Sequence, residues 1–140
     1  METLITEIAG YPYPDRVSNF RLLCRAYKIN QYWIKSMQKD LLKKDPEKVF
    51  QVWNGKLIDQ EEVRKRYTLF QQNVATVEQS LEKIRMFYGR DAEEMVKEAY
   101  VCDKSQKEIA KKYNLSEAAI QRKYHTWLVG VFYEKERNAS

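Results

Sequence analysis

The sequence predicts an all-α protein, with two long helices in its N-terminal region and a pair of shorter helices near its C-terminus. Three observations carry this. Punctuation is sparse: four Gly and three Pro occur in 140 residues, and Pro12, Pro14 and Pro46 all precede residue 47. A strand-rich chain needs more turn residues than that. Apolar residues recur at steps of three and four through two long segments, the period of a helix with one buried face. Ser105 and Ser116 each stand just ahead of a further helical segment, as N-cap residues do.

Composition sets the frame. The length suits one ordinary domain, or a small head with a helical extension. Hydrophobic residues make up 44%, enough for a core, and charged residues 32%, so much of the surface is solvated. Cys24 and Cys102 are isolated, and His125 is the single histidine, so neither a metal site nor a disulfide framework is expected. A reduced, cytoplasmic setting is the expectation. The segment from Met1 to Gly10 has no basic start and no long apolar run, so no secretory signal is expected. No stretch approaches the roughly 18 apolar residues of a membrane span.

Along the chain, Tyr11-Pro12-Tyr13-Pro14 favours an extended arm. Asp15 then opens a long helix whose stripe is Phe20, Leu23, Tyr27, Asn30, Ile34, Met37 and Leu41. Leu22, Trp33 and Leu42 widen it, as in a helix packed against several others. Lys43 and Lys44 suit the negative end of the dipole. Asp45-Pro46 starts a short helix carrying Val49, Phe50, Val52 and Trp53, which Asn54-Gly55 ends. The second long helix begins from Asp59, which with Glu61 and Glu62 places acid at its positive end. Val63, Tyr67, Phe70, Val74, Val77, Leu81, Ile84 and Tyr88 then alternate steps of four and three, an unbroken heptad pattern ended by Gly89. Two uses fit this stripe: an antiparallel pairing with the first long helix, and a homodimer through helix 59–88. Asp91 caps a further helix, with Met95, Val96, Ala99, Tyr100 and Val101 facing inward.

The next segment satisfies several independent constraints at once. Ser105-Gln106-Lys107-Glu108 has the form of a capping box. Ile109, Ala110 and Tyr113 make the inner face of a short helix, and Ala110 lets a second helix cross closely. Asn114 suits a left-handed turn position, Leu115 plugs the turn, and Ser116 caps the second helix. Ile120, Tyr124, Trp127, Leu128 and Val131 form that helix's buried stripe. In this order the features describe a helix-turn-helix. Lys123 stands where many such motifs carry an apolar residue, and Tyr124 takes over that burial.

Charge agrees. The chain carries +5, and the stretch from Asp103 to Thr126 holds six cations against three carboxylates, a net +3. An excess of this sign suits a polyanion. The exposed face of the second helix offers Ser116, Glu117, Ala118, Gln121, Arg122 and His125. Arg suits guanine, Gln adenine, Glu cytosine and Ala the thymine methyl, so these are the expected base contacts. Lys104, Ser105, Gln106, Lys107, Lys111, Lys112 and Lys123 are the expected phosphate contacts, which fix register.

Tyr88-Gly89, Asp91 through Tyr100, Ser105-Gln106-Lys107-Glu108-Ile109-Ala110, Leu115-Ser116 and Ile120-Gln121-Arg122 together resemble the C-terminal half of the RinA/ArpU-type regulators of Gram-positive phages. The same segment is similar to region four of bacterial sigma factors. The resemblance covers roughly residues 88–132; the N-terminal half shares only helical character and length. It implies a DNA-binding transcription regulator, an activator of phage late genes, acting on promoter DNA in the bacterial host cell, with Glu117, Ala118, Gln121 and Arg122 on bases. RNA polymerase is the further partner it suggests. The expected division is a helical scaffold and oligomerisation region over 1–88 and a helix-turn-helix domain over 89–140. The alternative function is a phage DNA-packaging component resembling a small terminase subunit. Ser/His/Asp sets, phosphate loops and nuclease-type acidic clusters are absent from the sequence, so an enzyme is not expected.

Overall fold

The computed structural model describes residues 16–41, 51–53 and 55–133. The fold is all-α with one small hairpin. Its elements are α1 (Arg16–Arg25), α2 (Tyr27–Leu41), β1 (Gln51–Trp53), β2 (Lys56–Ile58), α3 (Gln60–Tyr88), α4 (Arg90–Tyr100), α5 (Gln106–Tyr113) and α6 (Glu117–Phe132). The expected arm over 1–14, Asp15, and the segment from Leu42 through Phe50 lie outside the described residues.

The first long helix is two segments, interrupted at Ala26. Ala26 N–H still donates to the Leu22 carbonyl at 3.1 Å, and Asn30 N–H to the Ala26 carbonyl at 2.8 Å. The backbone therefore continues in helical register through the interruption.

Where a short helix was expected to run through Val52 and Trp53, the chain forms a hairpin. Gln51 pairs with Ile58, Val52 with Leu57 and Trp53 with Lys56. Gly55 has φ +77°. An Asn-Gly loop favours the turn whose twist matches paired strands, and Val and Trp are good strand formers. That local chemistry outweighs the weak helical spacing of four apolar residues.

α3 starts and stops as its sequence dictates. The Asp59 carboxylate accepts from Glu62 N–H at 2.9 Å, and Gly89 ends the helix at φ +98°, its N–H donating to the Arg85 carbonyl. Val63, Phe70, Val77, Leu81 and Ile84 of the heptad stripe are buried. Tyr27, at the start of α2, donates to Glu78 Oε2 at 2.8 Å, while Met37 clusters with Val63 and Phe70. The two helices therefore run antiparallel, each fully buried apolar side chain contributing about 1.5–3 kcal/mol. Gly89 also serves as the N-cap of α4, without a side-chain bond. Asp91 is not the cap; because Gly89 ends one helix and opens the next, α4 begins at Arg90 and Asp91 falls in its first turn. It still meets the positive end of the dipole there.

The core has two parts. Met37, Val63 and Phe70, flanked by Trp33, Ile34, Leu41, Ile58 and Tyr67, fill one end of the α2–α3 pair. The larger part joins Phe20, Leu23 and Cys24 of α1 to Val77, Leu81 and Ile84 of α3 and to the buried residues of α4, α5 and α6. The C-terminal helices thus dock on α1 and the second half of α3.

Candidate nucleic-acid interface

The local features of the helix-turn-helix have physical counterparts, except that among the described residues only the Ser105 half of the capping box is formed. Ser105 Oγ accepts from Glu108 N–H at 3.1 Å and opens α5. Ile109 and Ala110 are buried. Asn114 is left-handed, φ 54° and ψ 48°, and its N–H closes α5 onto the carbonyls of Ala110 and Lys111. Leu115 is half-buried and its N–H donates to the Ala110 carbonyl at 3.0 Å. Ser116 Oγ accepts from Ala119 N–H at 3.1 Å and opens α6. Ile120, Tyr124, Leu128 and Val131 are buried and Trp127 half-buried. Lys123 is exposed and lies over the Trp127 ring at 5.8 Å, while Tyr124 is 3% exposed. Burial does pass from the Lys123 position to Tyr124.

The opposite face of α6 is open. Ser116, Glu117, Ala118, Gln121, Arg122 and His125 are all exposed. Ala118, Gln121, Arg122 and His125 fall at helical spacings of three and four, so they share one surface. Among the described residues no carboxylate pairs with Arg122. Its guanidinium is available to an outside acceptor.

The residues expected on phosphate do not share one setting. Lys107 and Lys111 are exposed, and among the described residues neither has an ion-pair partner. Lys104 and Lys112 converge on Glu98 of α4, at 3.6 Å and 2.5 Å, and Tyr113 donates to the same carboxylate at 3.1 Å. Burial alone would push the Glu98 carboxyl up; hydrogen bonds from Lys112 and Tyr113, and the nearby lysine charges, outweigh it and hold the group below its ordinary value. Gln106 turns toward α6: its Nε2 donates to the Glu117 carbonyl at 2.8 Å, and its Oε1 accepts from Gln121 Nε2 at 2.5 Å. Ser105 carries the cap bond, and Lys123 sits on Trp127.

One contributor lies far from the motif in sequence. Arg21 of α1 lines a cleft of about 360 Å³ with Val17, Gln121, His125, Leu128 and Tyr133. Its guanidinium stacks over the Tyr100 ring at 5.2 Å. α1 therefore brings a cation beside the exposed face of α6. No local pattern around Arg21 signals this, because the juxtaposition arises from the packing of α1 on α4 and α6. Arg16 Nη1, in the same helix, donates to the Phe132 carbonyl at 2.8 Å and so holds the C-terminal end of α6.

Among the described residues no group of three His, Cys, Asp or Glu side chains could hold a metal ion, and no helix is long and apolar enough to cross a membrane. The chemistry the surface offers is directional hydrogen bonding from a helix face, flanked by cations. Comparison with protein-family models, with curated proteins and with solved structures finds no match for this chain.

Proposed function

We propose that this chain is a sequence-specific, double-stranded DNA-binding transcription regulator that reads the major groove with α6. The observation that carries the proposal is the open N-terminal face of α6. Arg122 and Gln121 project there from a helix whose other side is anchored by Ile120, Tyr124 and Leu128. A helix mounted in this way presents base-reading side chains in a fixed frame, and its N-terminal end enters the groove first. Lys107 and Lys111 supply backbone attraction without sequence information. The resemblance to RinA/ArpU-type regulators and to sigma region four supports activation of phage late genes, with RNA polymerase as a further partner, in the bacterial host cytoplasm. Self-association through α3 would rest on what that helix leaves exposed. The heptad stripe is buried within one chain, and Met86 and Phe87 are the exposed large apolar side chains of that helix among the described residues.

The test is selection from a random duplex pool, followed by titrations at one salt concentration. Arg122→Ala costs about 1–3 kcal/mol on the selected site and much less on random DNA. Equal loss on both would make Arg122 a phosphate contact. Failure of the wild-type chain to enrich any sequence would remove the proposed function.

A further inference from the structure

Gln106 is the first residue of α5, and both ends of its amide are engaged by α6. The Glu117 carbonyl can only accept a hydrogen bond, so the Gln106 nitrogen must face it. That choice turns Gln106 Oε1 toward Gln121, and an oxygen there can only be met by a donor. Gln121 must then present its nitrogen to Gln106: one N–H is taken there, and the second N–H and Oε1 of this exposed side chain stay available.

We infer that Gln106 is a positioning residue that holds Gln121 in the orientation that selects adenine; this rests on the DNA-reading function proposed above. Gln121 thus retains one donor and one acceptor on its amide. Adenine offers the complement in the major groove, an N7 acceptor beside an N6 donor. Guanine offers two acceptors, N7 and O6, so an amide oxygen facing it would meet another oxygen. An unrestrained glutamine could satisfy adenine too, but it would lose the freedom of its side-chain torsions on doing so. The bond to Gln106 removes much of that freedom before DNA arrives. Gln106 thus acts on sequence preference through Gln121, without touching a base.

The experiment is parallel selection from a random duplex pool with wild type, Gln121→Ala, Gln106→Ala and Gln106→Glu, with a melting curve for each. The wild-type site should contain adenine at one position whose preference Gln121→Ala abolishes. Gln106→Ala should reduce the adenine advantage at that same position by about tenfold, within the range a bidentate pair provides. The other positions and the melting temperature should be unchanged. Gln106→Glu retains an acceptor for Gln121 but loses the donor to the Glu117 carbonyl that fixes it, so it should keep only part of the adenine preference while its charge weakens binding to every duplex. If Gln106→Ala instead lowers affinity for all sequences equally, Gln106 is a phosphate contact and the inference fails. It also fails if the adenine preference survives that change, or if Gln121→Ala alters no position while Arg122→Ala still does. A wild-type chain that selects nothing would overturn the DNA-reading function itself, and this inference with it.

Discussion

Lysines that look interchangeable in a basic segment are not equivalent once their neighbours are known. Lys111 projects into solvent, whereas Lys112 reaches the Glu98 carboxylate at 2.5 Å, with Lys104 on the other oxygen. A lysine already neutralised by a carboxylate displaces less counterion from DNA when it approaches a phosphate. Lys111→Ala should therefore flatten the log-log salt dependence of DNA binding by roughly 0.9, the value for one phosphate contact. Lys112→Ala should flatten it by clearly less. Binding titrations over a range of salt concentrations distinguish the two; equal slopes would mean that Lys112 leaves Glu98 on binding. Asn114 shows the same dependence on local setting. At φ 54° a β-branched residue would strain the turn, whereas Asn is tolerated there.

Between elements, the end of α3 meets α6 closely. Gly130 lies buried in α6, and a Cβ placed on it would run into the hydroxyl and Cζ of Tyr88. Helix propensity alone favours Gly130→Ala by about 1 kcal/mol. Overpacking against a ring costs typically about 1–3 kcal/mol. The tertiary effect should win, so Gly130→Ala lowers the urea midpoint, and a raised midpoint would show that Tyr88 moves aside freely. The hairpin gives the converse lesson. A turn at Gly55 and three-residue strands prevailed over a helical spacing that was too short to nucleate.

For the whole molecule, the shared core makes the C-terminal helices dependent on what precedes them. Phe20, Leu23, Cys24, Val77, Leu81 and Ile84 pack in one cluster with residues of α4, α5 and α6. A fragment of residues 89–140 would expose that docking face to water. It should show no cooperative urea transition, whereas the full chain should; a sharp transition in the fragment would establish an independently folding unit. The buried titratable groups predict alkaline instability. Burial pushes the Cys24 thiol up to about 12 from 9.0 and the Tyr124 phenol to about 12 from 10.0. Burial, with the bond to Glu78, does the same for Tyr27. In each case the folded state holds the proton more tightly than the unfolded chain. Their contribution is complete below the unfolded values and is lost as pH rises from about 9 toward 12. Urea midpoints should accordingly fall across that window, and a flat profile would show that these groups ionise without cost.

The sequence by itself determined α3, α5 and α6 with the caps Ser105, Ser116 and Gly89 and their buried stripes, but not the hairpin, the interruption at Ala26 or the cap of α4. Asp59, Ser105, Ser116, Asn114 and Gly89 act through bonds or torsions within a few residues of themselves, so their roles are written locally. The alternation through Val63, Phe70, Val77 and Ile84 announces a buried face because a helix repeats its faces at a fixed period. Periodicity does not say what covers the face, and only the tertiary structure brings α2 against one half of α3 and α1, α4 and α6 against the other. The candidate interface divides in the same way. Gln121, Arg122 and His125 are legible as one helical face from spacing alone. The Gln106–Gln121 bond, the convergence of Lys104 and Lys112 on Glu98, and the approach of Arg21 to His125 are not. Each joins residues from different elements, and such pairings depend on how helices cross, which a one-dimensional pattern does not encode.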